Sequence, residues 1–493
     1  MVSDLSTTTL PKLIQGGMGI AISSWKLARA VASRGQLGVV SGTAIDRVIA
    51  CRLQEGDQDG SIRQAAESFP DQGLAARVLQ RWFKPEGLDR PGAYKPVPLF
   101  SISPPKSLLE LATFASFCEV WLAKHKASGP VGINLLEKIQ APTLPILYGA
   151  LLAGVDTVLM GAGIPRDIPG LMDQLCQHEP CDLRLTVENG EDVAIPFDPS
   201  IVEADLPTLE RPKFLAIISS HVLAMSLARS GGVDGFVVEG PIAGGHNAGP
   251  RGWKVESGED PTYGPKDEVN LDRIKALGLP FWLAGGKDAS SSIAEAEELG
   301  AQGIQVGTAF AFCSESGMEP TLRRRAIAYA LAEDLETRTE GRGSPTGYPF
   351  KTLNLNGTEG GRDASERERQ ACNHGYLRTA YQKPDGTIGW RCAAEPEADY
   401  ARKGGDPADC AGRRCLCNGL LATAGFPHAM KSGGIEYPLV TSGIMRDLPR
   451  FLSGKSDYSA DDVLDELGIE KSAKPELPIR LTHEVQNGPA YRA

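Results

Sequence analysis

The residues best suited to chemistry sit in one loop, EGPIAGGH, running from Glu239 to His246. An imidazole can take a proton from carbon or polarise a nitro or carbonyl group, because its ordinary pKa lies near working pH. A histidine alone is more often structural; here the preceding Ala243-Gly244-Gly245 argues for a site. Without a Cβ at the two glycines, the backbone can approach a flat or anionic ligand closely. Two further pairs, Gly285-Gly286 and Gly307-Thr308, follow later apolar runs, and Thr308 adds a hydroxyl donor. Backbone N–H groups at such strand ends suit a phosphate, so a phosphate-bearing cofactor is the natural occupant. Glu239 reads either as a strand-end carboxylate facing water or as a catalytic group. Lys287 could add charge near the phosphate. A second cluster is Cys372, Cys392, Cys410, Cys415 and Cys417, five of the chain's ten cysteines. Four thiolates from Cys372, Cys392, Cys415 and Cys417, with Cys410 as a substitute, could hold zinc or an iron–sulfur cluster. Reduced structural thiols are the equal alternative, since C-x-C is not the zinc-ribbon spacing. Cys176 and Cys181, flanking His178, read as incidental.

These groups need strands to carry them. Phe214 to Ile218 is a continuous apolar run, as in a parallel strand buried on both faces. A helical stretch from Val222 to Ala228 follows, then a second run from Asp234 to Glu239, making a βαβ unit with the His246 loop at a strand's carboxyl end. Similar runs near residues 13, 38, 99 or 132, 157, 282 and 305 bring the count to about eight, each followed by helix, which predicts a closed (β/α)8 barrel. Residues 43–96 read as a helical excursion, and Leu183 to Ile195 as an inserted hairpin around Asn189-Gly190. Residues 246–268 form a long polar loop able to cover the site. The barrel is expected to occupy residues 1–340, and residues 341–493 a separate cysteine-containing appendage that lacks a confident core of its own.

With 493 residues and a formal charge of -11, the chain can bury a large core and offers no basic cluster for nucleic acid. Residues 143–163 are apolar but divided by Pro145, Gly154 and Asp156, so helix followed by strand is expected, not a membrane span. The first residues lack an export signal, which predicts a cytoplasmic protein with reduced thiols.

Together, PKLIQGGMGIAISSWKLARAVASRGQLGVVSG near the N-terminus, GIN at 132–134, EGPIAGGH, AGG at 284–286 and QVGTAF at 305–310 resemble the FMN-dependent nitronate monooxygenases. The resemblance covers roughly residues 10–330, and beyond 365 CNHGYLR, GTIGWRCAAEP and GRRCLCN are similar to the longer bacterial members. It implies that Gly17, Met18 and Asn134 lie against the isoalloxazine and ribityl chain. Gly244, Gly245, Gly285, Gly286, Gly307 and Thr308 would wrap the chain and phosphate, Glu239 would stand beside the cofactor where many relatives carry glutamine, and His246 would be the active-site histidine. The expected reaction is oxidation of an alkyl nitronate by FMN and O2. The barrel is shared with NAD(P)H-dependent FMN enoyl reductases of fatty-acid or polyketide type, and with flavin-binding subunits of larger synthases, so both remain alternatives. A small-molecule substrate is expected, without nucleic acid or membrane, and a homo-oligomer is open.

Overall fold

A computed structural model describes residues 10–332, 335–443 and 448–471; the N-terminal segment read above for an export signal lies largely outside them. The apolar runs become strands β1 (Leu13–Gln15), β2 (Gly38–Ser41), β3 (Val131–Leu136) and β4 (Thr157–Gly161). The antiparallel hairpin of β5 (Cys181–Leu185) and β6 (Val193–Phe197) is inserted there, with Asn189 in the left-handed region at φ 57°. The series resumes with β7 (Lys213–Ile218), β8 (Gly235–Glu239), β9 (Phe281–Ala284) and β10 (Gly303–Val306).

The sheet order is β1-β10-β9-β8-β7-β4-β3-β2, with every pairing parallel. Gln15 N–H donates to the Leu37 carbonyl (2.9 Å) and Leu37 N–H to that of Leu13 (3.1 Å), which joins the first strand to the second and closes the (β/α)8 barrel. Between the two candidates for the third strand the structure selects residue 132, because residues 96–100 run as irregular chain. Alternation along each strand sends Ile14, Val39, Leu159, Leu215, Val237 and Trp282 into the barrel interior, while their neighbours pack against the helices.

Helices Ile45–Gln54, Ser61–Glu67 and Gln72–Trp82 build the excursion, the last capped by Asp71, whose carboxylate accepts the Leu74 N–H at 2.9 Å. The apolar segment 143–163 divides into helix Thr143–Leu152 and β4, and no helix among the described residues is long and apolar enough to cross a membrane. Gly149 lets that helix lie directly on helix Lys106–Lys124: a Cβ there would stand 2.0 Å from the Thr113 carbonyl oxygen. Gly149→Ala should therefore destabilise the fold by about 1–3 kcal/mol or more through overpacking, read as a lower midpoint in urea unfolding.

Described residues beyond 335 pack on the rest of the barrel, those up to 443 at its mouth. They include the hairpin of β11 (Glu336–Glu340) and β12 (Phe350–Asn354), the hairpin of β13 (Thr379–Gln382) and β14 (Ile388–Arg391), and helices Leu416–Thr423 and Ala460–Glu466. Phe350, Tyr376, Leu416, Leu420, Leu421 and Leu439 share one apolar cluster with Ile20, Val48 and Ile139 of the barrel half. The buried Tyr376 hydroxyl donates to the Asp46 carboxylate, and the Arg34 guanidinium reaches Asp461 (2.8 Å) and Asp465 (2.7 Å).

That shared core gives the cysteine segment support it was not expected to have, and the tetrathiolate site is not found. Cys372, Cys392, Cys415 and Cys417 lie within electrostatic reach of one another. Yet among the described residues no three His, Cys, Asp or Glu side chains are arranged to hold a metal ion. Burial pushes the Cys372, Cys392 and Cys417 thiols up, the Cys415 sulfur accepts from Asn418 Nδ2 at 3.3 Å, and Cys410 packs apart with Ala393 and Tyr400. Leucine packing in the shared core supports this segment.

Candidate active site

The carboxyl ends of the strands open into one cleft of about 1740 Å3, its mouth included. Every barrel residue singled out from the sequence lines it: Gly17, Met18, Asn134, Glu239, Gly244, Gly245, His246, Gly285, Gly286, Lys287, Gly307 and Thr308. The proposed metal ligands do not converge there, although Cys417 forms part of the wall.

Local geometry explains several of these identities. A Cβ on Gly17 would fall 2.1 Å from Asn134 Cβ, so only glycine lets the first turn meet the third strand's amide. Gly285 and Gly286 hold φ of 93° and 63°, where side chains are strained. At Gly244 the missing Cβ makes room for Ser442 and Gly443, whose atoms would lie 2.7 Å away. Thr308 Oγ1 accepts the Gly443 N–H at 2.9 Å, leaving its own proton free to donate into the cleft. Gln305 lines the same wall with a buried Oε1 that has no hydrogen-bond partner among the described residues.

His246 differs from the expectation of a ring titrating near neutrality. Burial, assisted by the positive charge of Lys138, lowers it to about 4, so the imidazole is neutral at pH 7. Its Nε2 is 2.7 Å from Ser344 Oγ, and the Phe350 ring packs edge-on at 4.8 Å. Glu239 is pushed up to about 7 by burial, against the opposing pull of Lys351. Burial in turn lowers Lys351 to about 8; its ammonium donates to the Pro241 carbonyl (2.8 Å), Asn247 Oδ1 (2.8 Å) and Thr339 Oγ1 (3.0 Å).

Between about pH 4.5 and 7 folded Glu239 holds a proton that the unfolded chain has released, so its contribution to stability falls as pH rises through that window. Glu239→Gln should flatten that part of the stability profile, and unfolding midpoints at pH 5 and pH 7.5 for parent and variant measure the change in slope. An unchanged slope would mean that Glu239 ionises normally.

The comparisons bear on which family presents such a site. The nitronate monooxygenase family model matches residues 204–358, the stretch carrying β7 to β10, the His246 loop and β12. That stretch is similar to the nitronate monooxygenase family. The chain is 33% identical over 109 residues to a probable nitronate monooxygenase of Bacillus subtilis, covering 22% of this chain and 30% of that protein. It is 37% identical over 99 residues to the nitronate monooxygenase of Paraburkholderia phytofirmans, covering 20% of this chain and 26% of that one. The matched stretch thus spans about a third or less of these curated relatives. Among solved structures, a nitroalkane oxidase from Streptomyces ansochromogenes aligns over 93% of this chain and 95% of its own, at 13% identity and a TM-score of 0.43. FabK from Thermotoga maritima aligns over 70% and 71%, at 18% identity and a TM-score of 0.39.

Around this matched segment, the cleft is completed by residues that sequence reading missed. Phe350, Tyr376, Leu377, Leu416 and Leu420 form an apolar wall, and Thr441 to Gly443 lie along the glycine loops. Gln305, inside the QVGTAF motif, was the one of these with a legible signal: a polar residue on an otherwise apolar strand. The others belong to segments with no strand-end pattern.

Proposed function

We propose that the chain is an FMN-dependent oxidoreductase that oxidises alkyl nitronates with O2, with His246 as acid or base. The observation that carries the reading is convergence: Asn134, Gln305, the glycine loops and a neutral His246 all face one cleft with an apolar wall. Its residues fit FMN. Gly17, Met18 and Asn134 would hold the ring and ribityl side, the unpartnered Gln305 oxygen would accept from it, and Gly285, Gly286, Gly307 and the Thr308 hydroxyl would hold the phosphate.

Bound FMN supplies the electron-accepting chemistry that no amino-acid side chain offers. The chain's own contribution is to bind, orient and move protons. Neutral His246 can accept a proton from a carbon acid or donate a hydrogen bond to a nitro oxygen. Glu239, protonated up to about 7, can donate a hydrogen bond from the end of β8, the strand that leads into the His246 loop. The apolar wall receives an alkyl group and excludes water.

Purified protein should be yellow and release about one FMN per chain on denaturation. Anaerobic mixing then tests the reaction: rapid flavin reduction by an alkyl nitronate and not by NADPH is the expected outcome. Reduction by NADPH alone would make the protein an enoyl reductase, and reduction by neither a flavin-binding subunit of a larger synthase.

A further inference from the structure

We propose that Ser344 is a positioning residue: it holds Nε2 of His246 so that Nδ1 is the nitrogen presented to the reacting group. The inference rests on the reading of His246 as acid or base. Ser344 is fully buried, and its Oγ makes three contacts: His246 Nε2 at 2.7 Å, Thr346 Oγ1 at 2.8 Å, and the Thr346 N–H, which it accepts, at 3.2 Å. Its own carbonyl oxygen accepts from Arg413 Nη1 at 2.6 Å, so the serine is anchored on both sides.

The histidine has little freedom of its own. Its backbone forms a bridge to Phe350, with Asn247 N–H donating to the Pro349 carbonyl (3.0 Å) and Lys351 N–H to that of Gly245 (3.0 Å). The Phe350 ring closes one edge of the imidazole. Nδ1 has no hydrogen-bond partner among the described residues and is not among their buried unpaired atoms, so it opens into the cleft that His246 lines.

A hydroxyl has one proton, and that decides what Ser344 can do. With the Thr346 N–H filling one lone pair, the Ser344 O–H either donates to Nε2 and accepts from the Thr346 hydroxyl, or accepts from Nε2–H and donates to Thr346 Oγ1. The first arrangement leaves Nδ1–H facing the cleft, a donor for a nitro or carbonyl oxygen. The second leaves the Nδ1 lone pair there, a base toward a neutral carbon acid such as the nitroalkane: its C–H bond breaks, the proton goes to Nδ1 and the electron pair stays on the substrate as the nitronate. The Ser344–Thr346 hydroxyl pair thus lets a ring held in one orientation serve in either tautomer.

The test uses the FMN-loaded full chain with Ser344→Ala, Ser344→Thr, His246→Ala and the Ser344→Ala/His246→Ala double variant. Ser344→Ala should lower kcat about tenfold to a hundredfold with KM nearly unchanged, whichever of nitronate or NADPH reduces the flavin. FMN content and melting temperature should match the parent, and Ser344→Thr should restore most of the rate. In the His246→Ala background Ser344→Ala should have no further effect; losses that multiply would overturn the proposal, as would loss of FMN or of the fold in Ser344→Ala. A second readout is independent of turnover. In protein labelled with 15N-histidine, the His246 ring signals, assigned by their disappearance in His246→Ala, should report a changed Nδ1/Nε2 tautomer ratio in Ser344→Ala. An unchanged ratio overturns the proposal, even if both electron donors fail and the proposed reaction falls with them.

Discussion

Turnover should fall by about 10²–10⁴ when His246 is replaced by alanine, while the holoprotein stays yellow. The magnitude is that of removing a positioned acid or base, and the retained colour follows from the surroundings: the ring is held by Ser344 and Phe350, while the proposed phosphate contacts come from other loops. The pH dependence has a definite sign. Because the histidine is lowered to about 4, kcat/KM for the parent should be flat with respect to this group from about pH 5 to neutrality and fall as acid protonates the ring. An inflection near pH 7 belongs to Glu239 instead and should vanish in Glu239→Gln. Turnover by His246→Ala within a few-fold of the parent would remove His246 from the chemistry and return it to the structural role most histidines have.

Gly307→Val should abolish stoichiometric FMN. At Gly307 a Cβ meets only Met18, at 3.5 Å from its sulfur, and φ is not in the left-handed region, so the backbone accepts a side chain without strain. The added methyl groups occupy the cleft beside Thr308, where the phosphate is proposed to lie. FMN affinity should drop at least tenfold, about 1.4 kcal/mol or more, with the apoprotein's melting temperature close to the parent's. Gly286→Val would be a poor substitute, because φ of 63° and an Ile242 carbon 2.3 Å from the added Cβ mix strain with the ligand effect. Titration of apoprotein with FMN, followed by flavin fluorescence, measures the change. Full occupancy in Gly307→Val would place the cofactor elsewhere in the cleft.

Much of this site was readable because its signals are local. The strand at 214–218 and the loop at 239–246 are contiguous, and a glycine pair after an apolar run marks the end of a buried strand wherever the strand lies. The packing of Gly244 was not readable for the converse reason: its neighbours, Ser442 and Gly443, are remote in sequence. The cysteines show the error that results. A thiolate staple was expected because the segment lacks a confident core of its own, but Ile20, Val48 and Ile139 of the barrel half join its Leu416, Leu420 and Leu421 in one apolar cluster.

By itself, the sequence determined the barrel, its strand ends, and the facing of His246 and the paired glycines toward one side. Apolar periodicity states which face of an element is buried, and parallel strands joined by right-handed crossovers leave little choice of arrangement. Only the tertiary structure decided what stands opposite. Ser344 lies 98 residues from His246, and Thr441, whose hydroxyl accepts the Gly245 N–H at 3.0 Å, lies 196 residues away. No periodicity encodes a partner at that separation. The protonation states were decided there too: His246 at about 4 and Glu239 at about 7 owe their shifts first to desolvation, which is set by every group packed around the charge and not by the residue that carries it.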